Sequence, residues 1–255
     1  MNDKATFVKN NSIIRKIWGS ADTVLFIFAG AAAEFSLNKA VDWLYFTGKL
    51  PADPLGRLFS TVVYAQQIIF SDKQTSLDAI DKITFIHKSV EANRGMKIPA
   101  WAYRDVLYML IHYSVASFEL LERKLSSEEK EEVFDVFKNV GERMQLEELP
   151  ADYNAWLISR EKHLNEDLAK TNYTTDLYKQ YKKHLGKLHY AILLQGQKLV
   201  SPKIVCELLG FNKMRFLVPL LWCYKITKKL GIHNFLRNAM LPNDYKQQIK
   251  DLDVL

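Results

Sequence analysis

Two consecutive predicted helices carry polar side chains that could do chemistry from their core-facing sides. Arg57 and Thr61 lie four residues apart in the first helix, and His87 lies late in the second. At about 100° per residue, His87 falls on the apolar stripe that Ile80 and Ile83 begin, so its imidazole is predicted to point into the core. Burying an imidazole is costly unless it finds a hydrogen-bond partner or a metal.

The short turn between these helices predicts that they are antiparallel neighbours, with Arg57 and His87 at the same end of the pair. An arginine at the edge of a core requires an anionic or hydrogen-bonding partner. Heme fits this arrangement, since it takes one axial imidazole, an apolar slot and donors for its propionates or for bound oxygen. His87 also fits a core histidine bonded to a backbone carbonyl or a carboxylate. The residues alone leave both interpretations open.

A longer motif surrounds these residues. It reads Asp53-Pro54-Leu55-Gly56-Arg57-Leu58-Phe59-Ser60-Thr61 and then, after a spacer, Ile86-His87-Lys88-Ser89-Val90. This motif resembles the pattern of the MpaB-type oxygenases and the latex-clearing rubber oxygenases. The resemblance continues through Ile111-His112 and Leu149-Pro150, and it spans roughly Trp18 to Leu185.

The resemblance implies an all-helical protein that binds heme b, with His87 as the proximal iron ligand. Arg57 and Thr61 would line the distal side or hold the heme, and Asp42 is the nearest match to the family's upstream acidic base. Ser60 stands where the latex-clearing members have a lysine that ligates the iron. That departure implies an open distal position and argues against rubber cleavage.

Together with the helical periodicity, the resemblance implies a heme b-dependent oxygenase that acts with dioxygen on a hydrophobic organic substrate. His112, in the predicted helix over 103–125, could support the heme pocket, although a satisfied core histidine is the simpler interpretation. Two alternatives stay open: a heme- or small-molecule-binding protein without turnover, and a plain helical scaffold.

The composition predicts one all-α domain. Of the 255 residues, 48% are apolar and 25% charged, which is ordinary for a globular protein, and seven Pro and ten Gly disfavour long loops. We expect a single-domain bundle of roughly ten helices around a heme pocket. The domain is predicted to cover residues 1–255, with a family-like core over about 18–185 and a helical extension over about 186–255.

Local signals place the helix ends. Asp53 is a predicted N-cap with Pro54 at N1, and Ser126 with Glu129 forms a capping box. Thr75 or Ser76 is predicted to cap the helix that carries His87. The predicted helices cover residues 14–45 (one or two helices), 55–70, 77–92, 103–125, 127–140, 151–168, 175–185, 188–200 with a bend at Gly186, 202–210 ending at Gly210, 215–230 and 244–252.

The net charge of +6 is concentrated in the C-terminal third. A solvated helix face explains it, and so does peripheral contact with an anionic membrane through the basic C-terminal helices. No nucleic-acid motif accompanies the charge, so no nucleic-acid partner is expected.

Other ionisable and sulfur-bearing residues give weaker signals. Cys206 and Cys223 form no CxxC pair, which favours a reducing compartment and a cytoplasmic location. Glu34 stands in an apolar run, where it is either a buried acid or a residue at the rim of the core, and the rim is expected. The remaining histidines lie beside charges or turns and are predicted to be at the surface: His163, His184, His189 and His233.

Overall fold

Most of the described helices begin at a residue whose side chain caps the first turn. A computed structural model describes residues 5–48, 52–211, 219, 221 and 251–254. Within these ranges the chain forms ten helices and no strand. They are α1 (Ile13–Trp18), α2 (Ala21–Phe35), α3 (Asp42–Phe46), α4 (Pro54–Phe70), α5 (Lys73–Arg94), α6 (Ala100–Leu121), α7 (Ser127–Arg143), α8 (Tyr153–Glu166), α9 (Asn172–Val200) and α10 (Lys203–Leu209). The predicted all-α class is confirmed.

Most local predictions are confirmed. Asp53 accepts a hydrogen bond from the Gly56 amide at the start of α4, and Ser126 and Glu129 form the predicted capping box. The bend at Gly186 is present as non-helical backbone inside α9, and Gly210 ends α10 in the left-handed conformation. The predicted helices over 215–230 and 244–252 lie almost wholly outside the described residues.

Two local predictions are wrong. Asp72 rather than Thr75 or Ser76 caps α5, since its carboxylate accepts from the Thr75 amide at 3.2 Å. The hydroxyl of Ser76 instead donates to the Ile68 carbonyl at 2.8 Å and ties α5 to α4. The segment over 14–45 forms three helices, because Gly19 and Ser36 end α1 and α2.

The core lies where α2 packs against α6 and α9, with α1 and α7 closing one side and the α4–α5 pair another. Its largest fully buried side chains include Trp18 of α1, Tyr113 of α6 and Trp156 of α8. The indole of Trp18 donates to the Ser114 hydroxyl at 3.0 Å, so this bulky core residue has a satisfied polar atom. No helix in the described ranges has the length and apolar character that crossing a membrane requires.

Gly30 permits the close approach of α2 to α6. A Cβ atom at this position would collide with the Tyr113 ring and lie 2.9 Å from Val200 Cγ2. We therefore expect Gly30→Ala to lower the free energy of unfolding by about 1–3 kcal/mol, the usual cost of overpacking. Urea unfolding followed by circular dichroism measures this change.

Gly196 of α9 is the matched control for this substitution. Its nearest neighbour for an added Cβ is Ala29 Cβ at 3.6 Å, an ordinary contact. Gly196→Ala is expected to be neutral or to stabilise by up to about 1 kcal/mol through helix propensity. Equal effects at the two glycines would contradict the packing argument.

Candidate functional site

The α4–α5 pair brings Arg57 and His87 to the same end, as predicted. Ser76 bonds to Ile68 near the turn, and the ammonium of Lys82 lies 5.8 Å from the centre of the Tyr64 ring farther along. These contacts fix the two helices as antiparallel neighbours. Arg57 lies close enough to His87 for its positive charge to act on the imidazole.

His87 is a partly buried imidazole that stays neutral at physiological pH. Its Nδ1 is buried and has no hydrogen-bond partner among the described residues, and its ring lies edge-on to the Tyr103 ring, with centroids 5.2 Å apart. Burial, helped by the charge of Arg57 and opposed by Glu91, lowers the pKa of His87 to about 4. A neutral imidazole keeps the lone pair that a metal ligand needs.

Arg57 is a partly buried cation at the start of α4. Its Nη1 donates to the Thr61 hydroxyl at 3.0 Å and to the Ser60 hydroxyl at 3.2 Å, both on its own helix. Among the described residues no carboxylate lies within ion-pair distance of it. Burial lowers the pKa of Arg57, and the charge of Tyr64 acts in the opposite direction. Such a guanidinium suits an anionic group bound from outside the chain.

Asp42 of α3 forms an ion pair with the last residue of α5, Arg94. Its carboxylate accepts from Arg94 Nη2 at 2.6 Å, and the Arg94 guanidinium lies 4.0 Å from the centre of the Trp43 ring. Arg94 follows His87 by seven residues, so the two share a face of the helix. The structure thus brings Asp42 to this face, but as a partner of Arg94. Its role as a base stays a prediction.

Glu91 and Tyr103 belong to this face and were missed from the sequence. Glu91 lies one turn after His87, and its Oε1 accepts from the Tyr103 hydroxyl at 3.1 Å and from the Ile98 amide at 2.8 Å. Burial and the charge of Glu91 raise the pKa of Tyr103, so its hydroxyl remains a donor. Glu91 could have been identified from the sequence, because it follows His87 by four residues on the same helix. Its contact with Tyr103 could not, because Tyr103 lies on the next helix, beyond a loop.

His112 faces a different part of the interior. It follows Tyr103 by nine residues on α6, and at about 100° per residue the two point in opposite directions. Burial and the positive charge of Arg160 lower the pKa of His112 to about 4, opposed by Glu34 and a hydrogen bond to the Val200 backbone. The structure does not bring His112 together with His87. Its part in cofactor binding stays a prediction.

The surroundings of His112 form a buried polar cluster, which we define as Glu34, Asp105, His112, Tyr113, Arg160 and His163. Arg160 donates to both oxygens of Glu34 at 2.5 Å, and the Tyr113 hydroxyl donates to Glu34 at 2.8 Å. Two predictions are wrong here. Glu34 is fully buried because it has this partner, and His163 is buried between Asp105 and Asp167.

The other predicted surface histidines have mixed outcomes. His184 and His189 lie partly exposed on α9, and His233 lies outside the described residues. Cys206 is a partly buried thiol that donates to the Ser201 carbonyl, and Cys223 lies outside the described residues. The described ranges contain no group of three or more His, Cys, Asp or Glu that could hold a metal ion. Heme iron differs from such centres in taking one or two protein ligands.

Comparison with known proteins gives one match. The family model described as "ER-bound oxygenase mpaB/B'/Rubber oxygenase, catalytic domain" matches residues 16–217, well over half of the chain. The match extends beyond the segment from Trp18 to Leu185 that carries the motif resemblance. No curated protein and no solved structure matches the chain.

Proposed function

The chain belongs to the family of mpaB and rubber oxygenase catalytic domains, and from that premise we propose that it is a heme b-dependent oxygenase acting on a hydrophobic organic substrate. One observation carries the proposal: a neutral, partly buried imidazole at His87 lies beside a guanidinium at Arg57 that has no carboxylate partner among the described residues. Iron and an anionic propionate are the two features of heme that such a pair would bind.

The side chains fit the group chemically. His87 would supply the nitrogen that ligates the iron, and burial already keeps that nitrogen unprotonated. Arg57 would donate hydrogen bonds to a carboxylate of the heme, which would supply the anion that its guanidinium lacks. When bound, the heme would supply iron that activates dioxygen.

Thr61 and Ser60 keep Arg57 in place. Their hydroxyls accept from its Nη1 and donate back to its carbonyl, at 3.2 Å from Thr61 and 2.7 Å from Ser60. The guanidinium is therefore oriented before any ligand arrives. No long side chain stands at Ser60, which would leave room for dioxygen and substrate on that side of the heme.

Arg94 binds Oδ2 of Asp42 at 2.6 Å, so a role as a base would fall to Oδ1 of this carboxylate. This pairing favours a second candidate function, a heme-binding protein without turnover. The two candidates differ in one respect: the oxygenase consumes dioxygen and alters its substrate, and the binding protein does neither.

A heme titration followed by an oxygen measurement tests the proposal. We expect the purified full-length chain to bind one heme and develop a Soret band. With a reductant, it should then consume oxygen faster when oleate or squalene is added as a hydrophobic probe. A chain that stays colourless with excess heme would overturn the proposal, and a red chain that consumes no oxygen with any probe would favour the binding protein.

A further inference from the structure

The outer side of the second half of α5 is apolar where a solvated helix is usually polar. Phe85 is 71% exposed and Ile86 40% on the helix, and Met96, 59% exposed, lies in the loop two residues after the helix ends at Arg94. His87 follows Phe85 by two residues and points the other way, toward Tyr103. Exposed apolar side chains that cluster on one face indicate an interaction surface, whereas scattered ones do not.

From Lys82 to Lys97 the exposed charges are all positive, namely Lys82, Lys88 and Lys97. Two exposed acids precede them on the helix: Asp81 is paired with Arg143 at 2.5 Å, and Asp78 accepts from the Gln74 side chain. The one acid between Lys82 and Lys97, Glu91, is partly buried and accepts from Tyr103 and Ile98. We define the α5 outer face as Lys82, Phe85, Ile86, Lys88, Met96 and Lys97.

The neighbouring helix continues the same character. In α4, Val63 is 60% exposed, and Arg57 is the only charged residue between positions 54 and 70. Asp53 is the exposed acid at this end, and its carboxylate caps the helix. In α4, Val63 therefore adds an exposed apolar side chain and no acid follows the N-cap, while Arg57 lies close to His87 and is not part of the outer surface.

We propose that the α5 outer face binds the surface of an anionic lipid bilayer. Phe85, Ile86 and Met96 would enter the boundary between headgroups and acyl chains, as the apolar face of an interfacial helix does. The three lysines would contact anionic headgroups, each strengthening the attraction. Charge complementarity selects this partner, since a neutral surface would leave the lysines without a counter-charge.

Two other occupants fit the charge poorly. A second copy related by a two-fold axis would bring a second set of the same three lysines into one interface. Residues 212–250 of the chain itself carry eight Lys or Arg and one Asp, so covering the face with this segment would bring cations together. The charge of this segment disfavours the second arrangement, and the sedimentation measurement below tests the first.

The proposal does not depend on heme. It concerns the outer surface of α4 and α5, and its test measures binding of the protein to vesicles rather than enzymatic activity. If the proposed function also holds, a hydrophobic substrate dissolved in the bilayer would reach the site without crossing water, because the same two helices carry both features.

Vesicle cosedimentation of the full chain tests the proposal. We expect binding to vesicles of equal parts phosphatidylcholine and phosphatidylserine and little binding to phosphatidylcholine alone. The variant K82Q/K88Q/K97Q should bind roughly a hundredfold more weakly, at about fivefold per lysine. F85S/M96S should weaken binding at least about tenfold, since two exposed apolar side chains no longer enter the bilayer.

Two control variants test whether the position of the substituted residues matters, rather than the net charge of the protein or its exposed apolar area. K124Q/K162Q/K203Q removes three exposed lysines elsewhere and leaves the same net charge, since 6 − 3 = +3 for either triple variant. Ile158→Ser removes an apolar side chain that is 75% exposed on α8. Both controls should bind nearly as well as the unaltered chain.

Three results would overturn the proposal. The first is equal binding to neutral and anionic vesicles. The second is loss of binding in the control triple variant as large as that in the α5 variant, which would assign the effect to net charge. The third is a dimer by sedimentation without lipid that F85S/M96S dissociates, which would assign the face to a second copy.

Discussion

Replacing Arg160 by methionine is expected to lower the free energy of unfolding by about 3–5 kcal/mol, the usual cost of removing one partner from a buried ion pair. Arg160 is 3% exposed, and it is bonded to both oxygens of the fully buried Glu34. Without it, Glu34 and the nearby Asp105 would remain in the core with no cation except a protonated histidine. Urea unfolding at neutral pH measures the loss.

A surface pair supplies the matched control. Arg143 makes an equally short contact with Asp81, at 2.5 Å, but both side chains are nearly half exposed. Arg143→Met should change the free energy of unfolding little, because water screens an exposed pair. The double variant Glu34→Gln with Arg160→Met should be more stable than Arg160→Met alone, since it no longer buries the negative charge of Glu34 without a partner. Similar losses at Arg160 and Arg143 would contradict the argument.

The same pair predicts how stability depends on acid. The charge of Arg160 and its hydrogen bond hold the pKa of Glu34 below its ordinary value, despite burial that acts the other way. A carboxyl with a depressed pKa stabilises the fold above its unfolded pKa of about 4.3 and loses that contribution as the pH falls. We expect this part of the acid sensitivity to disappear in the Glu34→Gln and Arg160→Met double variant.

Features set by neighbouring residues could be predicted from the sequence. Asp53 before Pro54, and Ser126 three residues before Glu129, satisfy backbone amides within one turn, so short spacings suffice to locate these helix starts. The approach of Arg57 to His87 needs only helical periodicity and a short turn. Both lie on sequence-adjacent helices that can pack only as antiparallel neighbours.

Features that depend on distant partners could not be predicted in this way. Glu34 and Arg160 are 126 residues apart, and Asp42 and Arg94 are 52 apart. Whether an acid in an apolar run is buried depends on such a partner, and nothing beside Glu34 indicates one. His163 did carry an unused signal: it follows Arg160 by three residues on the stripe that Trp156 begins.

Replacing His87 by alanine is expected to abolish the Soret band, or to weaken heme binding by more than about a hundredfold. Loss of a group that merely orients a metal ligand already costs 10–100-fold in affinity, and loss of the ligand itself should cost more. Heme titration followed by absorbance measures the change. Circular dichroism and a urea midpoint near that of the unaltered chain would show that the variant still folds.

His112→Gln is the matched control, because His112 is also a partly buried histidine with a pKa lowered to about 4, but it lies on the side of α6 opposite to Tyr103 and His87. It should keep the Soret band while losing some stability. A second variant, His87→Gly, leaves a cavity where free imidazole can enter, so added imidazole should restore the spectrum. If His112→Gln loses heme and His87→Ala keeps it, the ligand belongs to the buried polar cluster and the assignment of the site to the α4–α5 pair is wrong.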